Sequence, residues 1–258
     1  MPARDLDLLL SAALKAGEVA SGYFRTSMQV RDKGGGQGPV SEADLAVDTL
    51  LRETLLAARP DYGWLSEETE DGAARLSRGR VFIVDPIDGT RSFVDGNPTF
   101  AHSLAVAEDG EVTAAVVHLP EMGLTYAARK GAGATLNAAP MIASRREVLD
   151  GAQVIAARPQ LDPSLWPGGV PNIERHYRPS LAWRLCLIAE GKFDGMVTLR
   201  DAWEWDIAAG DLICREAGAA VTDREGQPLR FNNPVPQRPG VLAASPGVHA
   251  GLLAHLGR

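Results

Sequence analysis

The chain has 258 residues, 45% hydrophobic and 23% charged, which fits a globular protein of one large or two modest domains with a substantial core. Its formal net charge of −7 argues against a nucleic-acid duplex as the main partner, because binding a phosphate backbone needs clustered Lys and Arg. An anionic substrate would therefore need local help from bound cations, and with neither a secretory leader nor a run near ~20 apolar residues, a cytoplasmic protein without membrane contact is expected.

Over residues 6–24 apolar side chains recur at three- and four-residue steps, which predicts an opening amphipathic helix. The Gly-rich stretch 32–39 predicts a mobile loop. Ser41 stands where an N-cap belongs, with Val47, Leu50, Leu51, Leu55 and Ala58 at helical spacing and Pro60 beyond, so a second helix follows. Residues 80–84 form a short β-branched run that stops at Asp85-Pro86 and suits a buried strand. Residues 103–106 and 112–118 flank Asp109-Gly110, a strong hairpin signal. Residues 123–128, 152–156 and 195–199 add strands, and residues 180–190 read as a capped helix ending at Gly191. A last helix is expected from about Trp205 or Asp206 to about Gly218, while residues 171–179 show no periodicity. Strands and helices alternate without strict βαβ spacing, and the hairpin requires antiparallel pairing, so a layered α/β or α+β fold with mixed sheets is predicted. Cys186 and Cys214 lie in apolar, helix-like surroundings and read as buried thiols rather than a disulfide.

Glu67, Asp85, Asp88 and Asp206 all fall where the chain enters or leaves regular structure. Hard divalent cations such as Mg²⁺ take oxygen ligands in an octahedral array at about 2 Å and keep positions open for water and phosphate. Carboxylates converging from separate segments supply such a site. The ring of Pro86 stiffens the turn between Asp85 and Asp88, the Ile87 carbonyl is a further candidate ligand, and Gly89 permits close backbone approach. A helix beginning near Thr90 would offer free N–H groups to a phosphate oxygen. Each feature alone has a plainer reading. Asp-x-x-Asp-Gly is a common turn, Asp206 at a helix start is a common N-cap, Glu67-Glu68 makes an ordinary solvated pair, and Asp44 is placed to complete a capping box with Ser41.

The coincidence of these segments changes the balance. Asp85-Pro86-Ile87-Asp88-Gly89-Thr90 and Trp205-Asp206-Ile207-Ala208-Ala209-Gly210 resemble the two signatures of the inositol monophosphatase superfamily, each without a gap. Pro39-Val40-Ser41-Glu42-Ala43-Asp44 and Leu65-Ser66-Glu67-Glu68 fit in the same order. The resemblance spans nearly the whole chain and implies a layered αβαβα sandwich, often dimeric. It implies a single phosphatase domain over residues 1–258, with a metal-rich half to about 145 and a second half from about 146. Members hydrolyse small phosphate esters with two or three Mg²⁺ ions and are commonly inhibited by Li⁺. Carried over by motif, Glu67, Asp85, Asp88, Asp206 and the Ile87 carbonyl are the metal ligands, Asp44 and Thr90 activate the attacking water, and Gly89 and Thr90 hold the phosphate.

Members of the superfamily share this metal site and differ in substrate. Residues 184–192 look more like the 3'(2'),5'-bisphosphate nucleotidases, where Arg184 would meet a second phosphate; the alternative is an Arg on a helix surface. Those enzymes tend to carry an Arg farther before their Trp-Asp signature than Arg200 stands here. An inositol-1-monophosphatase is the alternative within the same chemistry. An inactive metal-binding regulatory protein is the alternative of another class, although no carboxylate of the pattern is missing. The expected partner is a small phosphorylated metabolite, with a homodimer possible. The five histidines show no metal-ligand spacing and receive no catalytic role.

Overall fold

The computed structural model describes residues 2–34 and 38–258; residues 35–37, the centre of the expected Gly-rich loop, lie outside them. Helix α1 (Pro2–Tyr23) buries Leu9, Ala12, Ala13, Ala16 and Ala20 along one stripe, as its periodicity required. Strands β1 (Val30–Asp32) and β2 (Pro39–Ser41) then pair antiparallel with Asp32 opposite Pro39, so the two ends of the stretch predicted as loop are strand residues. Helix α2 (Glu42–Ala58) starts at N-cap Ser41, whose hydroxyl accepts from the Asp44 N–H while the Asp44 carboxylate accepts from the Ser41 N–H.

A seven-stranded sheet follows in sequential order: β3 (Gly63–Ser66), β4 (Arg80–Asp88), β5 (Ala101–Glu108), β6 (Glu111–Leu119), β7 (Leu124–Arg129), β8 (Ala134–Leu136) and β9 (Ala139–Met141). Only β3 and β4 pair in parallel. The hairpin turns at Asp109 and Gly110, both at positive φ (51° and 82°), the conformation a tight antiparallel turn needs. Strand β4 does not stop at Asp85 as expected: it continues to Asp88 through an irregularity, and the short helix α3 (Thr90–Val94) follows.

The second half supplies β10 (Ala152–Ala156), β11 (Ile173–His176), helix α4 (Leu181–Ala189), β12 (Gly195–Thr198), β13 (Ala202–Trp203), helix α5 (Glu204–Glu216), β14 (Ala220–Thr222), β15 (Gln237–Arg238), β16 (Val241–Ala244) and helix α6 (Pro246–His255). Five of these strands form a mixed sheet in the order β11-β10-β12-β16-β14, and β13 pairs with β15. The strand β11 falls in the stretch without periodicity: an edge strand with an intermediate and exposed side-chain pattern carries no apolar alternation to read.

Three cores separate five layers. Leu9 and Val47 from α1 and α2 pack on Phe82, Leu104 and Val116 of the large sheet. On its other face, Ile83, Ala105 and Val117 meet Leu185 and Ile207 of α4 and α5, which also cover Met196 and Ala243 of the second sheet. Helix α6 closes the outer face of that sheet with Val248 and Leu252 against Val154 and Leu242. The result is the αβαβα sandwich, with α4 and α5 sealed between two sheets. Cys186 and Cys214 are free and buried in this middle layer, as their surroundings predicted.

The sealed helices touch at Gly210, where an added Cβ would lie 2.4 Å from Leu185 Cδ1 and 2.5 Å from its Cβ. Overpacking of a core commonly costs about 1–3 kcal/mol. Gly210→Ala is therefore expected to lower Tm by roughly 2–12 °C, on the scale of about 2–4 °C per kcal/mol for a chain of this size. Calorimetry checks this, and an unchanged Tm would show that the helices have room to part.

Candidate active site

Helix α2 carries two buried carboxylates one turn apart, and each organises a different wall of one cavity. Asp44 accepts from the Ser41 N–H at 2.8 Å and the Ser41 hydroxyl at 2.5 Å through Oδ2, and from the Thr90 hydroxyl at 3.0 Å through Oδ1. It is thus a capping residue and a partner of Thr90 at once. Asp48 accepts from the hydroxyls of Ser66 (2.5 Å) and Thr69 (2.7 Å), which pins both sides of Glu67.

At the end of β4 the chain presents Asp85, Ile87, Asp88 and Thr90 in quick succession. Asp88 Oδ2 accepts from the Ser180 hydroxyl and the Ala182 N–H, both at 2.6 Å, so it is tied to the N-terminus of α4. Ser180 was legible in the sequence as the α4 cap, accepting from the Trp183 N–H at 3.0 Å. Its second bond, to a residue 92 positions away, was not. Gly89 sits at φ +98°, a left-handed conformation that calls for glycine. The Thr90 hydroxyl also lies 3.1 Å from the Ile87 carbonyl.

Helix α5 begins at Glu204, with Trp203 at the N-cap position and no side-chain cap, so Asp206 sits in the first turn and is not the cap. The Ser103 hydroxyl of β5 holds the Trp205 carbonyl at 2.9 Å, fixing that turn on the large sheet. Oxygens of Glu67, Asp85 and Asp206 come within 4.8 Å of one another. Asp85 Oδ1 is buried with no hydrogen-bond partner among the described residues. An unpartnered carboxylate oxygen among converging carboxylates fits a hard cation.

Lys33, which carried no signal in the sequence, sets its ammonium 2.7 Å from Glu67 Oε1 and 2.6 Å from Glu68 Oε1. Even so, burial raises the acidities' usual range across the group. Asp85 is pushed well above the ordinary carboxylate pKa by burial and then by the charges of Glu67, Asp88 and Asp206. Asp206 is raised by burial and then by Asp88 and Glu67. Burial also raises Glu67, against the pull of Lys33, and Asp44, against its bonds from Ser41 and Thr90.

Lys33, Glu67, Asp85, Asp88 and Asp206 line a cavity of about 590 Å³ together with Gly89 and Thr90, and its lining also includes Tyr177, Arg184, Arg200 and Trp203. Arg184 is 7% exposed and is not on a helix surface. Its Nε donates to the Arg178 carbonyl at 2.5 Å and its Nη2 to the Pro179 carbonyl at 3.0 Å, while the guanidinium lies 4.9 Å from the Tyr177 ring centre. The Trp203 and Trp205 rings stack 4.7 Å apart with an 8° tilt.

The family model for the inositol monophosphatase family matches residues 3–258. An inositol-1-monophosphatase of Rhizobium meliloti is 38% identical over 238 residues, 86% of each chain. A histidinol-phosphatase of Chlorobaculum parvum is 32% identical and covers 98% of this chain and 96% of its own. Among solved structures, the extragenic suppressor protein suhB of Bartonella henselae superposes with a TM-score of 0.81 at 30% identity, covering 99% of both chains.

A carboxyl whose folded pKa is raised holds its proton more tightly when folded, so its stabilising effect is present at low pH and lost as pH rises above the ordinary carboxylate value toward the raised one. Asp85, Asp206, Glu67 and Asp44 all shift in that direction. Without metal, Tm is expected to fall as pH rises from 5 to 8; adding Mg²⁺ should raise Tm, and by more at pH 8 than at pH 5. In Asp85→Asn both the metal-free fall and the Mg²⁺ response should shrink. A Tm insensitive to Mg²⁺ at pH 8 would contradict the fit of the site to a cation.

Proposed function

Because the chain belongs to the inositol monophosphatase family, a family of phosphatases that normally uses Mg²⁺, we propose that it is a Mg²⁺-dependent phosphomonoesterase acting on a small phosphorylated metabolite. The observation that carries this reading is the convergence of Glu67, Asp85 and Asp206 within 4.8 Å around a buried, unpartnered Asp85 oxygen. Glu67, Asp85, Asp88, Asp206 and the Ile87 carbonyl would hold the ions. Bound Mg²⁺ supplies charge neutralisation at the phosphoryl group and an acidified water nucleophile.

The chain's own groups do the rest. The Thr90 hydroxyl donates to Asp44, so its lone pair is turned outward to accept a proton from the attacking water, and the Thr90 proton passes to Asp44 Oδ1. Burial has already raised the proton affinity of Asp44, which suits a group that must take that proton near neutral pH. The N–H groups of Gly89 and Thr90 hold phosphate oxygens at the start of α3. No covalent intermediate on the protein is required.

For the substrate, we favour a 3'(2'),5'-bisphosphorylated nucleoside. Arg184 and Arg200 line the same cavity as the carboxylates, with the Arg184 guanidinium 4.9 Å from the Tyr177 ring centre and Trp203 also in the lining, which suits a second phosphate and a planar ring. Inositol 1-phosphate is the second reading, favoured by the similarity to the Rhizobium meliloti enzyme. The similarity to the Chlorobaculum parvum enzyme places histidinol phosphate in the same test.

Phosphate release with Mg²⁺ is to be measured from adenosine 3',5'-bisphosphate, inositol 1-phosphate and histidinol phosphate. The bisphosphate is expected to lead, and Arg184→Ala should raise its KM by roughly 10-fold or more while sparing monophosphates, as loss of a charge-assisted pair implies. A ranking led by the inositol ester would overturn the substrate choice. Asp85→Asn is expected to cost on the order of 100-fold or more in kcat for every ester cleaved, with the fold retained. Near-normal turnover in that variant would refute the metal-site assignment.

A further inference from the structure

Between the two aspartates at the end of β4 the ladder is broken. Asp85 pairs with Ser103 and Asp88 with Ala101, so Pro86 and Ile87 together oppose the single residue His102 of β5. Such a bulge leaves backbone groups without ladder partners, and Pro86 has no N–H with which to mend it. The two freed carbonyls turn to different neighbours. That of Ile87 approaches the Thr90 hydroxyl at 3.1 Å beside the cavity, and that of Pro86 meets His102 Nδ1 at 2.5 Å. The His102 ring is wholly buried, so water has no access to take its place.

We propose that His102 is a positioning residue for the metal site: its Nδ1–H, donated to the Pro86 carbonyl, fixes the rotation of the bulged peptides and with it the spacing of the Asp85 and Asp88 carboxylates and the Ile87 carbonyl. The proposal rests on the metal-site reading above and is independent of which ester is cleaved. Its effect is that of an outer group which orients a ligand without touching the ion.

The surroundings determine which tautomer does this. His102 Nε2 is buried without a hydrogen-bond partner among the described residues. With the proton on Nδ1, Nε2 is an unpaired acceptor; a proton there would be a buried orphan donor, and an imidazolium a buried charge besides. Burial holds the ring neutral, with its pKa lowered to about 4. The neighbours keep it in place. His118 lies opposite on β6 with its ring 6.1 Å away, and is itself fixed by the Thr125 hydroxyl at 2.9 Å. Gly17 of α1 makes room behind: a Cβ there would come within 2.8 Å of His118 Nε2. His102 has no metal-ligand spacing to the other histidines, and none is needed for this role.

The test compares wild type with His102→Asn, whose amide nitrogen falls close to the place of Nδ1, and His102→Leu, which fills the volume without a donor. Mn²⁺ serves as the spectroscopic probe, its dissociation constant read by electron paramagnetic resonance, alongside metal-free Tm and the dependence of kcat and KM on Mg²⁺ concentration. His102→Leu is expected to weaken Mn²⁺ binding by about 10–100-fold, the range seen when outer-shell partners of metal ligands are removed. Its half-saturating Mg²⁺ should rise by a similar factor while kcat at saturating Mg²⁺ largely recovers, and Asn should stay within about threefold of wild type. Should His102→Leu fail to fold, His102→Gln, whose donor sits a bond farther out, takes its place with the same expectation. A Leu or Gln variant that lowers Tm but binds Mn²⁺ as wild type does would overturn the proposal, as would an Asn variant as weak as Leu. A wild-type protein that binds Mn²⁺ but cleaves no ester would sink the enzymatic reading alone, and the ratio of Mn²⁺ affinities would still decide the role of His102.

Discussion

Taking carboxylates out of water is costly, and placing them side by side is costly again through repulsion. Glu67, Asp85, Asp88 and Asp206 meet both costs in one cavity, with a single ammonium, that of Lys33, in direct contact with Glu67. Such a cluster stays ionised more readily with further positive charge, which is the physical basis of the proposed metal site. The raised pKa directions are the same fact seen from the proton's side: protons are the alternative counter-charge when metal is lacking.

Holding repelling groups together demands that each be anchored from behind by something other than its neighbours, and each anchor comes from a different element. Asp48 of α2 pins the segment that carries Glu67, the start of α4 restrains Asp88, and Ser103 of β5 seats the first turn of α5 that carries Asp206. Two of these elements, α4 and α5, are sealed between the sheets with Gly210 against Leu185. The carboxylates are therefore seated on the packed middle layer of the sandwich, which is what the proposed metal ligands would require. The bonds made by Asp44 join the two requirements, since one carboxylate caps α2 and takes the Thr90 hydroxyl.

The cavity is lined by two kinds of group: the acidic motif residues Glu67, Asp85, Asp88 and Asp206, and the cationic and aromatic side chains of Arg184, Arg200, Tyr177 and Trp203. On the proposed reading the acidic groups bear on the reaction and the others on the substrate, and relatives of similar overall identity do carry names for different substrates.

Local physics made much of this readable in one dimension. The stripe of α1, the Ser41 cap, the Asp109-Gly110 turn and the buried run before Asp85 each depend on neighbours within a few residues, so periodicity and turn chemistry located them. The motif residues were legible because two gapless signatures occur together, whereas each carboxylate alone had a plainer reading. The hairpin of β1 and β2, the edge strand β11 and the continuation of β4 past Pro86 to Asp88 were not legible, since each depends on a strand pairing that the local residue pattern does not signal. The same holds for Lys33 at Glu67, Ser180 at Asp88 and Arg184 in the cavity wall, contacts made across 34, 92 and 5 or 6 positions. Even where the separation is short, as at Arg184, burial and direction were set by packing. The sequence by itself determined which chemistry is present, because oxygen ligands and turns are local properties; the tertiary structure alone decided which groups face one another, because that depends on how the layers close.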